Sequence, residues 1–121
     1  MPIQYALTYP DRWEAPVQPL DWSSMGNWEF YPPDFRKFPL LKLAYQAMET
    51  GGSATATLNA ADEIAVESFL RGEISYPRIA EVVEETLQQV PSRQPSSIAE
   101  VLDIDNQSRQ VARSLARGEL V

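Results

Sequence analysis

The segment from Leu58 to Val83, LNAADEIAVESFLRGEISYPRIAEVV, constrains the fold of this 121-residue chain more than any other part. Its apolar residues recur at the three- and four-residue intervals of one helical face, on either side of Gly72 and Pro77. Glycine is favoured just after a helix, and proline at the first position of the next one. The segment therefore predicts two packed helices, and it contains no thiol, imidazole or phosphate-cradling loop.

Two further helical segments flank this pair. The first begins at Pro39 and ends at Gly51. We expect its buried stripe to be Leu40, Leu43, Ala44, Ala47 and Met48. The next two helices are predicted near residues 55–71 and 77–90, and a fourth segment follows a polar linker. The chain is therefore predicted to be mainly α, a small antiparallel four-helix bundle over residues 39–121.

The fourth segment carries its own boundary signals. Ser97 and Glu100 have the spacing of a capping box, in which each side chain satisfies an amide of the first helical turn. We expect the helix to restart at Asp105, which can cap a new first turn, and to end at Gly118.

An extended arm precedes the bundle. Residues 1–38 hold six of the ten prolines and nine of the twelve aromatic residues. A short helix can begin at Pro2 and end before Pro10. The alternation of Trp28, Glu29 and Phe30 predicts at most one short strand. The aromatic side chains either pack back onto the bundle or contact another domain or a second copy of the chain, and we favour the external contact.

Composition limits the classes of binding partner and the cellular compartment that we expect for this chain. The formal net charge of −7 repels the phosphates of nucleic acid, so we expect no nucleic-acid partner. No apolar run approaches the roughly 20 residues that span a bilayer, and no secretory leader is visible, so we expect no membrane partner. The absence of cysteine fits a reducing compartment, either the bacterial cytoplasm or a plastid stroma.

Reactive side chains are scarce. The chain has no histidine and no cysteine, which excludes Ser-His and Cys-His nucleophile pairs and the common zinc sites. Asn59 and Asp62 lie within an apolar helical face, where we expect them to hydrogen-bond the backbone. We therefore predict no catalytic, cofactor-binding or metal-ligating residue in this chain.

Two groups of like-charged side chains need an interpretation. Three arginines share one face of the last helix: Arg109, Arg113 and Arg117. We interpret them as solvated cations that complement the helix dipole, and a phosphate-binding stripe is the alternative. Three glutamates share a face of the third helix: Glu81, Glu84 and Glu85. We interpret them as solvated, with a hard-cation site as the alternative.

Six blocks of the sequence together resemble the C-terminal part of the 1-deoxy-D-xylulose 5-phosphate reductoisomerase family. The blocks are PIQYALTYPDRW from Pro2, PLDW from Pro19, PD at 33–34, FPLLKLAYQAM from Phe38, LNAADEIAVESFL from Leu58 and VLDIDNQSRQVAR from Val101. They cover nearly the whole chain, in the family's order and with nearly its spacing. A small departure is Asp62, where the family more usually has Asn.

The resemblance implies an incomplete enzyme. Members of that family rearrange 1-deoxy-D-xylulose 5-phosphate and reduce the product with NADPH and Mg²⁺ or Mn²⁺ for isoprenoid synthesis. By resemblance, residues 1–10 are the last helix of the central domain, residues 11–38 the linker arm and residues 39–121 the C-terminal helical bundle. The family's nucleotide loop, metal ligands and substrate flap all precede this region. The resemblance therefore implies a chain that binds no NADPH or metal and is inactive alone.

Three functions remain to be separated. The leading hypothesis is a structural domain that braces the catalytic part of a reductoisomerase, with the rest of the enzyme or a second copy contacting residues 1–38. The alternative is a freestanding helical interaction or oligomerisation module without catalytic activity. A hydrolase using Glu63, Glu67 and the glutamates at 81–85 is disfavoured, because solvated carboxylates lack the burial that tunes a catalytic group.

Overall fold

A computed structural model describes residues 2–118, which divide into one compact unit up to Pro32 and another from Pro33. The described residues form five α-helices. They are α1 Pro2–Thr8 in the first unit, and α2 Pro39–Thr50, α3 Ala54–Leu70, α4 Tyr76–Gln89 and α5 Ile98–Ala116 in the second. The mainly α prediction is confirmed, whereas the last three positions of the expected bundle, 119–121, lie outside the described residues.

Side-chain contacts to the backbone hold the first unit together. The amide of Gln4 on α1 donates to the carbonyls of Trp13 and Glu14, at 3.2 and 2.9 Å. The Arg12 guanidinium lies over the ring of Tyr5, 4.3 Å from its centroid. The segment that follows α1 is thereby fixed against the helix, even though this unit contains only one short helix.

Residues 28–30, whose alternation allows at most one short strand, form no strand within residues 2–118. A strand needs a neighbouring strand to satisfy its backbone groups, and no described segment supplies one. The aromatic rings contact one another instead. The Trp22 and Trp28 centroids are 6.1 Å apart, and those of Trp28 and Phe30 are 6.4 Å apart. The alternating pattern therefore marks a row of aromatic contacts and not a β-ladder.

The four helices of the second unit run alternately in opposite directions, as the antiparallel prediction requires. The rings of Phe69 near the end of α3 and Tyr76 at the start of α4 are 5.7 Å apart. The guanidinium of Arg78, near the start of α4, donates to the carbonyl of Leu115, near the end of α5, at 3.2 Å. The end of α5 therefore lies beside the start of α4, as in an antiparallel pair.

α3 is the central helix and contacts α2, α4 and α5. Its inner face is lined by small residues, of which Ala60, Ala61 and Ala65 are fully buried, so neighbouring helices can approach closely. Larger apolar side chains from the flanking helices fill the core: Leu43, Ile79, Val82, Val83, Ile104 and Leu115. The two packed helices predicted from residues 58–83 are confirmed.

α5 is one uninterrupted helix, so the restart expected at Asp105 is wrong. Asp105 lies inside the helix, where its carboxylate accepts a hydrogen bond from Arg109, four residues later, at 2.7 Å. Such a pair supports a helix interior and removes the need for a cap. The predicted start is confirmed, because the Ser97 hydroxyl accepts from the Glu100 amide at 3.2 Å.

Two connections meet at one end of the bundle. The Ser53 amide, in the turn between α2 and α3, donates to the carbonyl of Arg93, in the linker between α4 and α5, at 2.9 Å. The Arg93 amide donates back to the Ser53 hydroxyl at 3.1 Å, and the Ser92 hydroxyl donates to the Gly51 carbonyl at 2.9 Å. These three bonds, called the turn-linker contact below, satisfy backbone groups that helix ends leave unpaired.

Candidate functional site

Arg109 joins α5 to α3. Its guanidinium donates to the Asp105 carboxylate at 2.7 and 3.3 Å and to Glu63 on α3 at 2.8 Å. The hydrogen bonds that Arg109 donates to Asp105, and secondarily to Glu63, raise the pKa of Arg109 further above its already high usual value. The expectation of a solvated arginine is therefore wrong here. Because two carboxylates already neutralise Arg109, the alternative of a phosphate-binding stripe is also weakened.

Asp62 and Glu63 are adjacent but lie in contrasting environments. Hydrogen bonds from Arg109 and from the Asn59 amide, the latter at 3.0 Å, hold the pKa of Glu63 below its usual value. Burial, and secondarily the charge of Glu63, raises the pKa of Asp62. Asn59 thus bonds a side chain and not the backbone as expected.

Arg78 forms a second interhelix contact, between α4 and α5. Its guanidinium donates to Glu85 at 2.6 Å and to Glu81 at 3.0 Å, in addition to the Leu115 carbonyl. A cation at the end of α5 satisfies a carbonyl that has no partner within the helix. Two of the three glutamates of the acidic face therefore serve to hold Arg78 in place.

These ion pairs leave the carboxylates poorly suited to catalysis. A general acid or base works best with a pKa near the working pH, but Arg109 and Asn59 lower the pKa of Glu63. Glu67 is paired with Arg71 at 2.7 Å. Between residues 2 and 118, no group of three or more His, Cys, Asp or Glu side chains is placed to hold a metal ion. The hydrolase hypothesis gains no support from this arrangement.

A buried polar contact between α3 and α5 escaped the sequence analysis. Thr57 and Ser108 are fully buried. The Ser108 hydroxyl donates to the Ile104 carbonyl at 2.7 Å and lies 3.2 Å from the Thr57 hydroxyl. The one available signal was the four-residue spacing of Ser108 from Ile104 and Ala112, which places all three on the buried face of α5.

The first unit presents an aromatic surface. Six of its aromatic side chains are each at least 58% exposed: Tyr9, Trp13, Trp22, Trp28, Phe30 and Tyr31. Trp22, Trp28 and Phe30 among them contact one another. Exposed apolar clusters are typical of interaction sites, and aromatic residues are enriched there. The aromatic surface is therefore a candidate site of contact with another domain or chain.

A second exposed apolar surface lies on α2. Leu43 and Ala47 point into the core and are buried. Leu40 is partly buried against the core. Four other large apolar side chains at this helix are exposed and are called the outer face of α2: Phe38, Leu41, Tyr45 and Met48. Met48 is 61% exposed, so its assignment to the buried stripe is wrong, as is that of the exposed Ala44.

A groove of about 400 Å³ opens between the starts of α2 and α4. Apolar side chains, including Phe38, Leu40 and Tyr76, line it together with charges of both signs. The charged lining residues are Arg36, Lys37, Glu81 and Glu84. Since opposite charges lie within one groove, its lining favours neither an anion nor a cation.

One family model and many known proteins match this chain. Residues 1–111 match the model described as the DXP reductoisomerase C-terminal domain. A 1-deoxy-D-xylulose 5-phosphate reductoisomerase from Solibacter usitatus is 63% identical over 116 residues, covering 96% of this chain and 29% of that protein. One from Chloroherpeton thalassium is 47% identical over 110 residues, covering 91% of this chain and 28% of that protein.

Solved structures agree with the sequence match. The reductoisomerase from Zymomonas mobilis in complex with NADPH aligns with a TM-score of 0.89 and 40% identity, over 95% of this chain and 30% of that one. A crystal structure of DOX-P reductoisomerase with fosmidomycin and magnesium aligns with a TM-score of 0.85 and 35% identity, over 96% and 31%. The chain thus spans less than a third of the length of these relatives.

Proposed function

The chain belongs to the DXP reductoisomerase C-terminal domain family, and from this membership we propose that it braces the catalytic part of an NADPH-dependent 1-deoxy-D-xylulose 5-phosphate reductoisomerase, in isoprenoid precursor synthesis. The observation that carries the proposal is the match over residues 1–111. Two contacts between helices support it: the Arg109–Glu63 ion pair joins α5 to α3, and the hydrogen bond from Arg78 to the Leu115 carbonyl joins α4 to α5.

The bundle suits bracing because its helices are joined at several levels. Arg109 links α5 to α3, Arg78 links α4 to α5, and the turn-linker contact closes one end. A rigid support of this kind holds reacting groups in the orientation that catalysis requires. We propose that residues 1–10 belong with the preceding domain, that residues 11–38 are the linker, and that residues 39–121 are the brace.

We place NADPH and Mg²⁺ or Mn²⁺ on the part of the enzyme outside this chain. The described residues offer neither a phosphate-binding loop that suits NADPH nor free carboxylates that suit a metal ion. The glycine pair before α3, Gly51 and Gly52, is not an open phosphate-binding loop, because the Ser53 amide beside it donates to the Arg93 carbonyl and the Ser92 hydroxyl donates to the Gly51 carbonyl. The carboxylates of Glu63 and Asp105 are already paired with Arg109. We therefore propose that this chain is inactive alone and supplies no catalytic residue.

The proposed partner of this chain is the remainder of a reductoisomerase, contacted in part through residues 1–38. No nucleic-acid or membrane partner is proposed. Among residues 2–118, no helix combines the length and apolarity needed to cross a bilayer. The absence of cysteine supports a reducing compartment, either the bacterial cytoplasm or a plastid stroma.

A second candidate function is a freestanding interaction or oligomerisation module. The observation that favours it is the exposed aromatic surface of the first unit, which a second copy of the chain could cover as well as another domain could. In that case the isolated chain would be a stable dimer in solution, whereas the bracing proposal requires no self-association.

A chimera tests the bracing proposal. The matched C-terminal segment of the Solibacter usitatus relative is replaced by this chain, and NADPH oxidation is followed with 1-deoxy-D-xylulose 5-phosphate and Mn²⁺. We expect the chimera to turn over substrate at a rate within about tenfold of the parent relative. A tenfold change in rate corresponds to a change of about 1.4 kcal/mol in the activation barrier. The relative truncated before that segment, and this chain alone, serve as controls and are expected to be inactive.

Each negative result of the chimera experiment leads to a different conclusion. Turnover by this chain alone would overturn its assignment as a non-catalytic domain. A truncated relative as active as the intact one would overturn the bracing role. A folded but inactive chimera, together with a concentration-dependent dimer of the isolated chain by sedimentation, would favour the freestanding module.

A further inference from the structure

α2 carries apolar side chains on two faces, and the bundle covers only one of them. Leu43 and Ala47 are buried against the core. The outer face, Phe38, Leu41, Tyr45 and Met48, follows the spacing i, i+3, i+7, i+10, which is that of a helix seam packed against a partner. Leu41, Tyr45 and Met48 are 39%, 52% and 61% exposed. Two apolar faces on one helix indicate that it packs on both sides.

The outer face of α2 is distinct from the side of the helix that carries its polar residues. Its polar residues occupy a third side of the helix: Lys42, Gln46, Glu49 and Thr50. α2 is also the edge helix of the bundle, because within the described residues it contacts α3 and α4 but not α5. An edge helix with a solvated polar side and a bare apolar side has its apolar side available to another element.

The size of the outer face decides between its possible occupants. Four partly exposed side chains of this kind supply roughly 300 to 400 Å² of apolar area. A stable contact with a second copy needs about 800 Å² per partner, so this face alone cannot hold a dimer. A domain on the same polypeptide needs much less area, because a short linker raises its effective concentration to the millimolar range.

We propose that the outer face of α2 is the surface on which the rest of the reductoisomerase chain packs. The inference rests on the proposed function, and it adds to it the location of the contact on the bundle. The relatives have more than two thirds of their length outside the matched segment, so they contain ample chain to cover the face. The occupant is expected to present an apolar side to α2, since the four outer-face side chains carry no charge.

Cysteine labelling tests the proposal directly, because this chain has no cysteine of its own. Met48→Cys and Tyr45→Cys report on the outer face, and Gln46→Cys on the polar side of the same helix is the matched control. Each is introduced into the isolated chain and into the Solibacter usitatus chimera. The rate of modification by a small maleimide is read by mass spectrometry of the peptide that contains α2, so cysteines elsewhere in the chimera do not interfere.

We expect Met48→Cys and Tyr45→Cys to react at least about tenfold more slowly in the chimera than in the isolated chain, and Gln46→Cys to react equally in both. Equal rates for the outer-face variants in an active chimera would overturn the inference and leave the proposed function standing. A chimera without turnover would contradict the proposed function itself. Protection in the isolated chain that grows with its concentration would assign the face to a second copy and also overturn the inference.

Discussion

Asp62 and Glu63 are consecutive carboxylates, and the structure gives them opposite effects on stability. Burial raises the pKa of Asp62, so its ionised form destabilises the folded state above that pKa, and protonation relieves the penalty as the pH falls. Arg109 lowers the pKa of Glu63, so its ionised form stabilises the folded state above the unfolded pKa, and this is lost as the pH falls through the folded pKa.

Asp62→Asn is therefore expected to raise the melting temperature at neutral pH, and Glu63→Gln to lower it. Both differences should shrink as the pH falls below the usual carboxyl range of about 4, where the wild-type groups are protonated too. Thermal unfolding followed by circular dichroism over this pH range measures both effects. Asp103→Asn, at an exposed position of α5, controls for the loss of one negative charge. A stabilisation by Asp62→Asn that persisted at low pH would contradict the assignment to ionisation.

At the scale of single elements, local signals predicted the helices well and tertiary pairing poorly. Pro39, Pro77 and Ser97 mark helix starts, because proline and capping residues act through backbone geometry within one turn. The supposed restart at Asp105 failed because its carboxylate pairs with Arg109. Met48 was misplaced because periodicity alone does not tell which apolar side of α2 meets its own bundle.

At the candidate site, too, local sequence signals did not predict the contacts between helices. The lack of histidine and cysteine excludes Ser-His and Cys-His nucleophile pairs from the residue types alone, and the broader expectation of no catalytic residue stays a prediction. The contacts of Arg78 with Leu115 and of Arg109 with Glu63 join residues 37 and 46 positions apart. Such pairs depend on how helices are placed side by side, and a single sequence carries no signal for them.

We expect the turn-linker contact, between the α2–α3 turn and the α4–α5 linker, to stabilise the bundle. Gly52 has φ of +56°, and an added Cβ would lie 2.7 Å from the Arg93 carbonyl oxygen. Gly52→Ala therefore combines a left-handed backbone with a clash against backbone, and we expect it to lower the free energy of unfolding by about 2 to 3 kcal/mol. Urea unfolding followed by circular dichroism gives the value.

Gly72→Ala is the matched control for this change. Gly72 also has a left-handed φ, of +73°, but an added Cβ meets nothing within 4 Å. Its substitution should cost only about 1 kcal/mol, the backbone strain alone. Equal losses for the two variants would mean that the close approach of Gly52 to the linker contributes nothing to stability.

At the scale of the whole molecule, the hydrophobic core and the aromatic surface belong to different parts of the chain. All the side chains of the main core cluster, from Leu43 to Leu115, come from α2 to α5. The aromatic surface comes from the unit that ends at Pro32. A bundle that contains its own core should fold without the preceding unit, and the aromatic residues would then serve contacts outside this chain.

Deleting residues 1–32 tests this division. We expect residues 33–121 alone to keep their helical circular dichroism and to melt within about 2 °C of the full chain, because no core side chain is removed. In the Solibacter usitatus chimera the same deletion should abolish turnover, since it removes residues 1–10 and most of the proposed linker. A fall of about 8 °C or more in the shortened chain would mean that the aromatic residues pack onto the bundle. Their exposure would then be no argument for an external partner, and the outer face of α2 would be the stronger candidate for the contact with the enzyme.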